Sequence, residues 1–109
     1  MEEGYIKICL LSELQEGRGK RIYMDEHPLA VFLVKGRVYV TDNICPHQHS
    51  NILHEGFLEQ GFVVCPSHGW SFSLETGMQP DGRRGITSYP VHVRQGVIYA
   101  KFIPKKYSW

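Results

Sequence analysis

Apolar and polar residues alternate in short runs along this chain, and Gly and Pro break the runs. In Tyr5–Leu10, Ile6, Ile8 and Leu10 alternate against Lys7 and Cys9, which predicts a first strand. Ser12 followed by Gln15 has the form of a capping box, so Ser12–Gln15 is expected to make one helical turn that Gly17 ends. Leu29–Val34 and Val38–Thr41 flank Lys35-Gly36-Arg37 as a hairpin. Gly61–Cys65 and Trp70–Leu74 form a second pair around the segment CPSHG, and Tyr89–Arg94 and Val97–Lys101 flank Gln95-Gly96 as a third. Only Pro46–Gly56 contains apolar residues and yet resists assignment to a strand; a short helical turn is expected around Ile52–Glu55. The tail Pro104–Trp109 is basic and aromatic and is expected to be partly irregular. Many short strands separated by turn residues predict an all-β fold, a small antiparallel sandwich or barrel.

Composition narrows the class. A chain of 109 residues predicts one domain, 1–109, with no repeat or linker inside it. At 42% hydrophobic residues it can form a core, but a small one that a bound cofactor would help to stabilise. A formal net charge of +1 excludes the strong basic excess that nucleic-acid binding requires. The first residues are acidic, with no basic segment ahead of an apolar run, so no signal peptide is expected. No apolar run approaches the roughly 20 residues that span a bilayer. Three cysteines cannot all pair. The expectation is a soluble cytoplasmic protein, in which grouped Cys and His serve metal binding or catalysis.

Two segments carry the chemistry, Cys45-Pro46-His47 and Cys65-Pro66-Ser67-His68. They read C-x-H, then seventeen residues, then C-x-x-H, each at the end of a predicted strand. Pro after Cys biases each Cys towards extended backbone and fixes the next φ, so two stiff turns could present two thiolates and two imidazoles to one site. Four N/S ligands suit zinc or an iron–sulfur cluster. Zinc fingers usually take both Cys from one hairpin and both His from one helix. Here each loop supplies one Cys and one His, which fits a binuclear cluster whose two irons have different ligands.

CPHQHS and CPSHGWSF resemble the two cluster loops of Rieske [2Fe–2S] proteins, and the likeness extends over most of the chain. The resemblance implies a Rieske fold with a two-loop cluster-binding subdomain at about 43–74. It implies that Cys45 and Cys65 bind the inner iron of one [2Fe–2S] cluster, and His47 and His68 the outer one. With two thiolates the oxidised cluster is neutral, so it accepts an electron more readily than a four-thiolate cluster does. In the high-potential members of respiratory complexes, an extra Cys on each loop forms a disulfide; the matching positions here are Ser50 and Ser67. Those members also place Ser and Tyr hydroxyls where this chain has Trp70 and Phe72. Fewer hydrogen bonds to the sulfurs leave the reduced charge less stabilised, so the expected potential is at the low end, about −150 to 0 mV.

Low potential, absent disulfide and one short domain resemble the soluble Rieske ferredoxins of bacterial oxygenase systems. HGWSF with GMQPDG is similar to those that serve toluene-type diiron monooxygenases. That resemblance implies an electron carrier without substrate chemistry of its own, and transient docking as a monomer on a flavoprotein reductase and a terminal oxygenase. The ferredoxin of a ring-hydroxylating dioxygenase, the small Rieske subunit of an assimilatory nitrite reductase and a zinc-stabilised interaction module are the competing readings. Ser67, Trp70 and Pro80 are the expected neighbours of the cluster, although Trp70 also reads as core and the Pro80 loop as a turn. Cys9 reads as a core residue, His54 as a loop residue that caps or hydrogen-bonds, His49 as surface or near the site, and His27 and His92 as surface. No acid–base pair, activated Ser or phosphate-binding Gly loop is visible; Gly17-x-Gly19 lacks the rest of a dinucleotide fingerprint.

Overall fold

The computed structural model describes residues 4–46, 50–67, 69–83 and 85–101. Among these residues twelve strands follow in order: β1 Tyr5–Leu10, β2 Gly19–Met24, β3 His27–Val34, β4 Arg37–Asp42, β5 Ile44–Cys45, β6 Ser50–Asn51, β7 Phe57–Glu59, β8 Phe62–Val64, β9 Ser71–Ser73, β10 Ser88–Tyr89, β11 Val91–Arg94 and β12 Val97–Lys101. Two 3-10 turns, Leu11–Glu13 and Leu53–Glu55, are the helical elements among the described residues. The strands form four antiparallel sheets: β1-β12-β11, β10-β4-β3-β2, β5-β6 and β7-β8-β9. Hairpin turns recur in one form, a residue with positive φ followed by Gly, at Lys35-Gly36, Gln60-Gly61 and Gln95-Gly96. Two consecutive positive φ values match the twist of the flanking strands.

β3 organises the core. Its residues Leu29 and Val31 pack with Ile8, Val40, Ile98 and Ala100, between the two larger sheets. The intervening Ala30 and Phe32 enter a second core with Leu53, Val63, Phe72, Leu74, Cys45 and Cys65. Alternate side chains of a strand point to opposite faces, so this one strand joins the sandwich to the smaller sheets that carry both cysteine segments. Being apolar on both faces explains why 28–34 reads as a continuous apolar run rather than an alternating one.

Several elements differ from the sequence expectations. The first turn lies at Leu11–Glu13 rather than Ser12–Gln15, because the Glu13 carboxylate accepts the Leu10 N–H at 2.8 Å. A register shift between Lys7 and Cys9 interrupts the alternation in β1, so neighbours Ile8 and Cys9 are both buried while Leu10 is exposed. The predicted strand Tyr89–Arg94 divides at Pro90, which has no N–H to donate. Ser88 and Tyr89 pair with β4, whereas Val91–Arg94 pairs with β12. Ser50 and Asn51, within the segment that resisted a strand assignment, pair with Cys45 and Ile44. β2 and β7 had no counterpart in the sequence reading. Each pairs with the strand that follows it, and tertiary pairing supplies what their mixed composition does not signal.

Candidate metal centre

The first loop leaves β5 at Cys45 and returns through β6, with Cys45 opposite Ser50 in the register. The second leaves β8 just before Cys65 and returns at β9, with Val64 opposite Ser71. Between these strands the backbone closes on itself: Cys65 N–H donates to the Trp70 carbonyl at 2.7 Å, and Gly69 N–H donates to the Cys65 carbonyl at 3.0 Å. Both cysteines are buried, Cys45 at 2% and Cys65 at 1% relative exposure, in the same apolar core. Trp70 is half-buried against that core, as are Ile52, Leu58 and Ile86. It lies just outside β9, which begins at Ser71, one residue later than the expected strand.

Ser67 is exposed, as is Pro80. Pro80 sits in a tight turn in which Gln79 N–H donates to the Arg83 carbonyl at 3.0 Å and Gly82 N–H to the Gln79 carbonyl at 2.9 Å. The Asp81 carboxylate accepts both the Arg83 N–H and its guanidinium, bonds that hold its pKa below the usual carboxylate value. The neck of this loop is tight: Ile86 N–H donates to the Gly77 carbonyl at 2.8 Å. A Cβ on Gly77 would lie 1.9 Å from the Ile86 carbonyl oxygen, and one on Gly85 would lie 2.1 Å from that of Gly77. His47 and His68, and with them His49, lie outside the described residues.

The remaining candidates separate cleanly. Cys9 belongs to the other core, where burial, reinforced by the Glu13 charge, pushes its thiol up to about 11; such a thiol is inert at neutral pH. His27 is exposed and its Nε2 lies 2.9 Å from Asp42 Oδ1. His92 is exposed and its ring sits 4.4 Å from that of Tyr5. His54 does hydrogen-bond, and its partner is a residue that sequence reasoning passed over. Asn43, fully buried, accepts the His54 backbone N–H on Oδ1 at 2.6 Å. Its Nδ2 faces His54 Nδ1 at 3.0 Å and donates to Asn51 Oδ1 at 2.5 Å. The only sequence signal was a strongly polar residue set two positions before Cys45, at the end of a strand.

The donor set fits an iron–sulfur group as far as the described residues reach: two buried thiols share one core, and thiolate is the ligand that such clusters take. The comparisons with known proteins decide the class. Residues 4–90 match the family model described as the Rieske [2Fe–2S] domain. The chain belongs to the Rieske [2Fe–2S] family.

This Rieske chain is 29% identical over 105 residues to the ferredoxin component of the alkene monooxygenase system of Xanthobacter autotrophicus, covering 94% of this chain and 86% of that protein. It is 37% identical over 98 residues to the 3-phenylpropionate/cinnamic acid dioxygenase ferredoxin subunit of Escherichia coli, covering 86% and 90%. A solved structure described as the complex of reduced oxygenase and oxidized ferredoxin in carbazole 1,9a-dioxygenase contains a similar chain. There the TM-score is 0.77 at 30% identity, with 91% of this chain and 94% of that one covered. This Rieske protein is a ferredoxin-type electron carrier rather than an enzyme, and its cofactor is one Rieske-type [2Fe–2S] cluster. No helix among the described residues is long and apolar enough to cross a membrane.

Proposed function

We propose that this ferredoxin takes single electrons from an NAD(P)H-dependent flavoprotein reductase and delivers them to a terminal oxygenase of the diiron monooxygenase kind, acting on an aromatic or other hydrocarbon. Cys45, His47, Cys65 and His68 are its ligands in this reading, within a cluster-binding subdomain at about 43–74 of a single domain. The observation that carries the site assignment is the burial of Cys45 and Cys65 in one core, although they come from two separate strand pairs. When bound, the group supplies a one-electron acceptor. The chain's own part is to exclude water with Phe72, Leu74 and Trp70, to hold Cys45 on the paired strands β5 and β6, and to hold Cys65 on a loop closed by its own hydrogen bonds. The Gly77–Gly85 neck and the Pro80 turn would cover the sulfides from a third side.

The monooxygenase reading draws support from HGWSF and GMQPDG and from the alkene monooxygenase relative, which matches almost the whole chain. Higher identity to a dioxygenase ferredoxin subunit favours a second reading, service to a ring-hydroxylating dioxygenase. The protein would work as a cytoplasmic monomer, and its contacts with the two partners would be small and transient.

The test is reconstitution. Purified protein reduced by one electron is mixed with a diiron hydroxylase and, separately, with a Rieske dioxygenase, and reoxidation is followed in stopped flow. Rapid reoxidation by the hydroxylase alone is expected; transfer confined to the dioxygenase would replace the first reading by the second. A colourless preparation containing zinc but no iron, grown with ample iron, would overturn the ligand assignment.

A further inference from the structure

Asn43 is fully buried, and every polar atom it carries is engaged. Its backbone N–H donates to the Pro28 carbonyl at the start of β3 at 3.2 Å, and its carbonyl accepts the Leu53 N–H at 3.1 Å. The side-chain oxygen accepts the His54 N–H, and the side-chain nitrogen reaches Asn51 Oδ1 and His54 Nδ1. Asn51 in turn donates from Nδ2 to the Tyr23 hydroxyl on β2 at 3.0 Å. One side chain therefore ties β6 and the Leu53–Glu55 turn, the returning arm of the first loop, to the residue that begins its outgoing arm. Through Pro28 and Tyr23 the same network is tied to the four-stranded sheet.

Carboxamide chemistry makes the site exacting. With His54 Nδ1 unprotonated, both Nδ2 hydrogens and the Oδ1 acceptor have directed partners, a set that neither Asp nor an apolar residue could satisfy. A buried network of this kind fixes one conformation when it is complete. Cys45 lies two residues further along the chain and is paired in register with Ser50, the neighbour of Asn51.

We propose that Asn43 is the positioning residue of the first cluster loop. Through Asn51 and His54 it sets where the Cys45 thiolate stands, and so tunes the electronic environment of the iron without touching it. The proposal rests on the reading of Cys45 as an iron ligand.

The experiment compares iron-loaded Asn43→Ala, Asn51→Ala and Val31→Ala with the unaltered protein, by redox titration, EPR of the reduced state, melting temperature and hydrogen exchange at the His54 amide. Val31 is a buried residue of the other core, and its truncation reports loss of stability alone. Expected are displaced g-values and midpoint potential in both asparagine variants, a His54 amide that exchanges at least about tenfold faster in Asn43→Ala, and a Val31→Ala protein that melts earlier with an unaltered spectrum. Asparagine variants that melt earlier but keep the g-values and potential of the unaltered protein would overturn the proposal. If Asn43→Ala does not fold, Asn51→Ala decides on the same criteria. Cys45→Ala, which removes any donor atom, tests the underlying reading separately. Loss of its cluster together with unmoved spectra in the asparagine variants overturns positioning alone, whereas a full iron complement in Cys45→Ala overturns both.

Discussion

Cys65 and Trp70 are joined through the main chain: the Cys65 N–H donates to the Trp70 carbonyl across 2.7 Å, in line with the β8–β9 pairing below it. The shape of the second loop is therefore set by backbone, and the Trp70 indole is left to pack over the core that holds both cysteines. Trp70→Ala is expected to keep the loop closed while lowering stability by about 2–3 kcal/mol, less than for a fully buried aromatic. Water admitted where the ring stood would stabilise the reduced, more negative site and raise the midpoint. Redox titration alongside urea unfolding separates the two effects. A stability loss with an unmoved midpoint would reduce Trp70 to packing.

The potential itself follows from which hydroxyls are absent. With Trp70 and Phe72 two and four residues after His68 and no disulfide partner at Ser50 or Ser67, the midpoint is expected between about −150 and 0 mV. His68→Cys adds a negative charge to the ligand set and should move the value towards the about −400 mV typical of all-thiolate clusters. Protein-film voltammetry reads both; a midpoint above the window, or a His68→Cys variant with an unlowered potential, would count against the ligand reading.

The third loop depends on a glycine that cannot be replaced. Gly77 has φ +80°, and an added Cβ would stand 1.9 Å from the Ile86 carbonyl oxygen. Gly77→Ala combines a left-handed backbone penalty with a backbone clash and should cost about 3 kcal/mol or more. Gly82, in the same loop at φ +84°, meets nothing within 4 Å. Gly82→Ala should cost only about 1–2 kcal/mol. Equal losses in chemical denaturation would show that the neck is not the constraint.

His54 makes stability pH-dependent. Burial and the nearby Arg21 charge hold its pKa below the ordinary 6.5, with Glu55 opposing; Arg18 lines the same open cleft. The native state thus binds this proton less readily than the unfolded chain does. Stability should be full above about pH 6.5 and decline as the pH falls through the lowered value. His54→Gln, whose side-chain oxygen can still accept from Asn43, should lose that part of the decline. A difference in melting temperature between the two proteins that stays constant from pH 7 to 5 would refute the assignment.

Much of this molecule was legible in local sequence. The turns at Lys35-Gly36 and Gln95-Gly96 announced their hairpins because a hairpin turn is specified by the residues within it. Cys45-Pro46-His47 and Cys65-Pro66-Ser67-His68 pointed to the family that residues 4–90 match, because the spacing within a motif is also local. Other features were decided by residues far apart in the chain. Alternation within a strand says that it has two faces, but not what covers each, so the two cores meeting across β3 could not be read from its apolar run. The split at Pro90 depended on which neighbours, β4 or β12, had free edges to offer. Asn43 looked like an ordinary polar residue at a strand end. Only the folded chain sets Asn51, His54 and Pro28 around it, and a buried amide gains its role from the partners that replace its water.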